Sequence, residues 1–100
     1  MFETRNQDGV TIIRASGELA KHELAAMAAI ARRAREAGDR VVIDLKRVTH
    51  LHYAGAALLK AVPGLRAAGA SRYVRDLVHA GGAAGRVELF DEVDDAFRAA

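Results

Sequence analysis

The sequence contains no cysteine. That excludes a disulfide framework, a thiolate nucleophile and a zinc ribbon, and it accords with a reducing compartment. Tryptophan is absent too, and the only aromatic side chains are three Phe and two Tyr scattered along the chain. Charge of one sign is also missing, with 15 Lys and Arg against 13 Asp and Glu. A nucleic-acid reader carries a larger basic excess with aromatics interleaved, so no nucleic acid is expected as partner. No apolar run approaches the ~20 residues a membrane-spanning helix needs, so insertion into a membrane is not expected. The opening "MFETRNQDG" has no basic-then-apolar leader pattern, and the expected location is the cytoplasm. Proline occurs once, at Pro63, so elsewhere the chain is free to form regular elements.

What is present is the composition of an ordinary globular protein, with 51% hydrophobic and 28% charged residues in a chain of 100. That length supports one domain spanning 1–100 with one core. "FETR" and "VTIIRAS" flank Asp8-Gly9, a strong hairpin signal, and Gly17 is expected to end the second strand. From Lys21 to Ala37, Leu24, Met27, Ile30, Ala31 and Ala34 recur at helical spacing, and Gly38 stops the helix. "RVVIDL" is apolar on both faces, as in a central buried strand. A helix from about Ala54 to Val62 follows, closed by Pro63-Gly64. "LRAAGAS" reads as a short strand of small residues at a place of close packing. Ser71 caps a helix through "RYVRDLVHA", with Val74, Leu77 and Val78 inward, ended by Gly81-Gly82. "RVELF" alternates as a strand. Asp91 is expected to cap a last helix whose Val93, Ala96 and Phe97 face the core. The fold class is therefore α/β, a mixed sheet with helices packed on it, in the order β-β-α-β-α-β-α-β-α.

Candidate chemistry concentrates in "HLHYAG", where a strand gives way to a helix. His50 and His52 stand at i, i+2, but two imidazoles fall short of the three or four ligands of a tight zinc site, and nothing ties His22 or His79 to them, so no metal site is expected. Ser16 and Ser71 lie in no nucleophile turn. Glu18 and Asp44 are the acids nearest strand ends, and structural roles suit both better than a catalytic pair. "AGGAAG" follows a helix and precedes a strand, the wrong order for a phosphate loop. No catalytic residue, cofactor or enzyme signature emerges.

In their order and spacing, "VTIIRASGEL", "RVVIDLKRVTHLHYAGAALL" and "ASRYVRDLVHAGGAAGRVELFDEVDDAF" resemble a STAS domain, the fold of bacterial anti-sigma-factor antagonists. The matching pieces are Gly17–Leu19, Asp44-Leu45, Gly55 opening a helix, and the G-x-x-x-x-V-x-L-F-D close at Gly82 and Val87–Asp91. The family pattern reads G-E-L-D and D-S-S-G or D-S-x-G, and in regulated members a kinase phosphorylates the Ser before the Gly. Position by position, that Ser corresponds to Ala54, the preceding Ser to Tyr53, the first Asp to His52, and the Asp after G-E-L to Ala20. No phosphorylation is then expected, because Ala54 has no hydroxyl to carry the charge of about −1.5 to −2 that works such a switch.

The resemblance implies a non-enzymatic binding module. Its docking surface would comprise Gly17, Glu18, Ala20 and His22 with Leu51, His52, Tyr53, Ala54, Gly55 and Leu58, and Tyr53 would be its hot spot. The free N–H groups at the helix start suit a carboxylate or phosphate from a partner. The expected partner is an anti-sigma factor or serine-kinase-like regulator. Two other readings stand beside this one: an accessory subunit held on the ATPase of a phospholipid-type transporter, and a small-ligand sensor to which Arg32, Arg33 and Arg35 would attract an anion. The shortened helix before Pro63 and the small-residue strand after it leave a face open for self-association as a homodimer.

Overall fold

A computed structural model of the chain describes residues 1–81 and 87–99. Among these residues the elements are β1 (Phe2–Gln7), β2 (Val10–Leu19), α1 (Lys21–Glu36), β3 (Arg40–Leu51), α2 (Tyr53–Leu59), β4 (Arg66–Ala68), α3 (Arg72–Ala80), β5 (Glu88–Phe90) and α4 (Val93–Arg98). This is the order that the sequence pattern implies. The five strands form one mixed sheet in the order β1-β2-β3-β4-β5. β1 runs antiparallel to β2, and the remaining neighbours are parallel. The β1–β2 turn is made by Asp8 and Gly9, both left-handed at φ 53° and 76°, as a two-residue hairpin requires.

Period-two alternation divides the strands between two apolar layers. Ile13 and Ala15 of β2 and Val41, Ile43 and Leu45 of β3 pack in one cluster with Leu24 and Met27 of α1, Ala56 and Leu59 of α2, and Val74 and Val78 of α3. Val10, Ile12, Val42 and Ala68 face the other way and meet Ala96, Val93 and Phe97 of α4. β3 is apolar on both faces because helices cover both. No helix among the described residues is long and apolar enough to cross a membrane.

Several boundaries differ from the sequence reading, each for a physical reason. Gly17 does not end β2. Its φ of +74° accommodates an irregularity, the ladder to β3 slips between Arg14 and Ser16 and again between Gly17 and Glu18, and pairing resumes to Leu19 opposite Leu51. β3 accordingly runs past Leu45 to Leu51, since the slipped register lets Val48 and Leu51 stay buried. Asp44 does not end the strand: its Oδ1 accepts from the Lys46 N–H at 3.0 Å. α2 stops at Leu59 rather than Val62, because the N–H groups of Ala61 and Val62 donate to Leu58 and Leu59, three residues back, tightening the end.

Ser71 caps α3 as expected, its Oγ accepting from the Val74 N–H at 3.2 Å. Asp91 does not cap α4. It is drawn to Arg75 at 3.1 Å, and Glu92 stands at the cap position without a side-chain bond. β4 is confined to Arg66–Ala68, shorter than the expected strand, and Gly69 directly after it marks a close approach, for a Cβ there (φ +78°) would meet the Lys46 backbone at 3.3 Å. The stretch Gly82–Arg86, which holds part of the expected α3 stop and the start of the closing motif, lies outside the described residues.

A candidate docking site at the carboxyl edge of the sheet

β2 and β3 are parallel, so their carboxyl ends and the helices that follow them emerge at one edge. The His52 N–H donates to the Leu19 carbonyl at 3.0 Å and ties the two strand ends together. Ala20 and His52, the residues just before α1 and α2, are thereby placed as neighbours. Neither offers a side-chain cap to its helix. At α1 the reach-back half of a capping box is made instead, with Glu23 Oε1 accepting from the Ala20 N–H at 3.3 Å. Glu23 Oε2 also takes a hydrogen bond from the Met1 amino group at 2.6 Å. That ammonium, and secondarily the Ala20 N–H, hold the Glu23 carboxyl below its ordinary range.

The first turn of α2 lies directly on α1. A Cβ at Gly55 would fall 3.3 Å from the Lys21 Cα and closer still to Leu24. On its other side the end of α3 arrives: a Cβ at Gly81 would collide with the Tyr53 carbonyl oxygen and stand 2.7 Å from the Ala56 Cβ. Gly81 has an ordinary φ of −76°, so it is close approach rather than a left-handed turn that favours glycine there. Thus α2 is held between two neighbours that permit no side chain at the points of contact.

This packing sorts the residues singled out from the sequence. Gly17, Glu18, Ala20 and His22 are exposed, as are His52, Tyr53 and Ala54, and all belong to the same edge. Leu51 and Gly55 are buried, and Leu58 is half-buried, so these three position the surface more than they form it. Tyr53 projects with 59% of its surface exposed, its ring stacked on the His52 imidazole at 5.7 Å and 7°.

A second pair stands beside it. His50 Nδ1 and the Tyr73 hydroxyl share a hydrogen bond of 2.6 Å, and the rings stack at 5.7 Å. Tyr73, 53% exposed, is the residue that sequence reasoning missed. The available signal was its place two residues after the Ser71 cap, in the opening turn of α3. Both histidines therefore engage tyrosines. Among the described residues no cluster of three or more His, Cys, Asp or Glu has metal-binding geometry.

Two grooves lie away from His52 and Tyr53. One of about 510 Å³ runs between β1 and the end of α1, lined by Arg5, Asn6, Ile30, Arg33 and Asp39. Another of about 360 Å³ lies beside Arg32, Arg35 and Pro63. The arginine cluster is thus remote from the helix start, with Arg35 folded over Gly64 and bonded to the Asp39 carbonyl at 3.4 Å. At the carboxyl edge the described residues present exposed rings on a fixed backbone, and neither of these grooves is lined by them.

A family model for the STAS domain matches residues 1–63. No curated protein sequence matches the chain significantly. Among solved structures, an anti-sigma factor antagonist from Mycobacterium paratuberculosis is similar with a TM-score of 0.76 at 23% identity, over 97% of this chain and 90% of that one. The anti-sigma factor antagonist SpoIIAA in its unphosphorylated form gives 0.66 at 19% identity, over 95% and 92% of the two chains. The phosphorylated form of the Bacillus cell fate determinant SpoIIAA gives 0.64 at 19% identity, over 97% and 96%. At these identities the likeness is one of fold.

Proposed function

The chain belongs to the STAS domain family, and from that premise we propose that residues 1–100 form a single non-enzymatic STAS module that docks a protein regulator of the anti-sigma-factor or serine-kinase type at the carboxyl edge of its sheet, without a serine phosphoswitch. The observation that carries this reading is the exposure of Tyr53 on a helix start whose backbone is fixed from both sides. An exposed aromatic ring on a rigid support loses little conformational freedom on binding and supplies a large contact area. His52, Ala54 and the second ring pair, His50 with Tyr73, extend the same surface.

The missing switch follows from chemistry at one position. Ala54 occupies the place of the family's phosphorylatable Ser, and an alanine methyl group accepts no phosphoryl group. Ala20 and His52 replace the two acids that flank that Ser in the family pattern, so the local field lacks their negative charge as well. A partner would then be held in one state, its affinity set by contact area rather than by phosphorylation.

The test is capture from native lysate with tagged wild type beside Tyr53→Ala, with the bound proteins identified by mass spectrometry. Recovery of an anti-sigma factor or serine-kinase-like regulator with wild type, and its loss with Tyr53→Ala, supports the reading. Recovery of a transporter ATPase instead moves the protein to lipid transport. Identical background in both lanes removes this edge as a docking surface.

A further inference from the structure

We propose that two copies of the chain pair antiparallel through the open edge of β1, about a two-fold axis at Thr4, forming a continuous sheet across a weak homodimer. This surface is separate from the carboxyl-edge site, and its failure leaves the docking reading untouched.

The backbone sets which groups are free. Met1 and Ser16 exchange hydrogen bonds, Ser16 N–H to the Met1 carbonyl at 2.8 Å and the Met1 amino group to the Ser16 carbonyl at 3.3 Å. In an antiparallel ladder such pairs alternate, so with the observed register Glu3, Arg5 and Gln7 turn their peptide groups toward β2. Gln7 opposite Val10, flanking the two-residue turn, fits the same phase. Phe2, Thr4 and Asn6 therefore turn their peptide N–H and C=O groups outward, where the described residues supply no further strand. β1 is six residues long and carries neither proline nor an irregularity in its register to blunt it.

That phase restricts self-pairing. Outward-turned residues must oppose one another, so the symmetric registers are those centred on Glu3, Thr4 or Arg5 and the shorter ones beyond them. Centring on Glu3 sets Glu3 against the partner's Glu3, and centring on Arg5 sets Arg5 against the partner's Arg5; like charges directly opposite are destabilising. Centring on Thr4 does the reverse. Phe2 opposes the partner's Asn6 and Thr4 opposes the partner's Thr4 as hydrogen-bonded pairs, using every outward peptide group of Phe2, Thr4 and Asn6. Glu3 then faces the partner's Arg5, twice by symmetry, at the non-hydrogen-bonded positions where side chains stand closest. Among the described residues Glu3 has no ion-pair partner, and Arg5 bonds the nearby Gln7 amide at 3.1 Å and no other described side chain. The longest register is thus also the one in which opposite charges meet. Pairing by one short strand buries little area, so the dimer falls in the weak, concentration-dependent class.

Sedimentation velocity over a concentration series reaching about 1 mM tests this, since that range covers the weakest association worth measuring. Reversible dimerisation of the wild type is expected. Arg5→Glu alone and Glu3→Arg alone should each raise the dissociation constant about tenfold, and the double reversal Glu3→Arg with Arg5→Glu should restore it. These side chains are exposed, and circular dichroism checks that each variant is folded. Thr4→Pro, which removes an outward N–H and spares the bonds to β2, should abolish the dimer. A chain that stays monomeric throughout overturns the proposal, including the case in which another protein's strand takes this edge. So does a dimer indifferent to the single reversals, or one the double reversal does not restore.

Discussion

A Cβ placed on Gly55 would stand 2.7 Å from the Leu24 Cδ1, closer than packed carbons approach. Leu24 is completely buried between α1 and the sheet, so its side chain has nowhere to swing. The glycine that resembles a family landmark is therefore explained by packing: it lets the first turn of α2 rest on the first turn of α1, which in turn sets the spacing between Ala20 and His52. Gly55→Ala gains about 1 kcal/mol of helix propensity but loses about 1–3 kcal/mol to overpacking. Gly55→Val, branched at Cβ and without that gain, should be the less stable of the two by urea unfolding. If both unfold at the wild-type midpoint, the helices are not in contact as described. A further consequence is that loss of partner binding in a Gly55 variant reports on the fold rather than on the docking surface.

Tyr53 offers the clean counterpart, because its ring is exposed while its backbone is held. Tyr53→Ala removes ring area and the stacking on His52 but no core contact. Its unfolding free energy should stay within about 0.5 kcal/mol of wild type, and partner affinity should fall by more than about 1 kcal/mol. Calorimetric titration of the captured partner against both proteins separates the two quantities. A large stability loss would mean that the ring supports the helix start instead of presenting a surface.

The elements of this fold were legible wherever a local signal decided them. Asp8-Gly9 names its own turn, the Leu24–Ala34 spacing names α1, and the Ser71 hydroxyl names the start of α3. Legibility failed where a neighbour decided. The run of β3 to Leu51 depends on the slip opposite Gly17, which no residue of β3 encodes. Asp91 has the composition of a cap, yet a cation sixteen positions away in sequence, on α3, takes it. The site divides in the same way. His52 and Tyr53 were visible because they follow a strand, whereas Tyr73 joins them only through tertiary contact with His50. Gly55 was found by its place in a motif, but its burial was not readable from that motif.

Gly81 makes the same argument from the other side of α2. Its φ of −76° suits any residue, so a substitution there brings no backbone strain of its own. What it meets is the Tyr53 carbonyl and, at 2.7 Å, the Ala56 Cβ. A carbonyl oxygen on a packed helix cannot rotate away as a long side chain does. Gly81→Ala should therefore destabilise by about 1–3 kcal/mol through displacement of one helix by the other. In a nitrogen-15 correlation spectrum the shifted amides should cluster at Tyr53–Ala56. Shifts confined to α3 would show that α2 does not abut it.

Glu23 gives the edge a pH-dependent component whose sign follows from its partners. The Met1 ammonium first, and the Ala20 N–H second, favour the charged carboxylate, so its folded value lies below the ordinary 4.5. A depressed folded value means that the stabilisation is present in full above the unfolded value and is lost as pH falls through the folded one. Stability of the wild type should accordingly exceed that of Glu23→Gln near neutral pH, and the difference should shrink as the pH is lowered from about 4.5. Because the pair is exposed, added salt should reduce the difference at neutral pH as well. Denaturant midpoints measured for both proteins across the acid range provide the check, with the Glu23 side-chain carboxyl followed directly by carbon-13 titration. Two midpoint curves that run parallel down to low pH would mean that the Met1 amine and Glu23 do not hold each other in solution, and that α1 begins without this support.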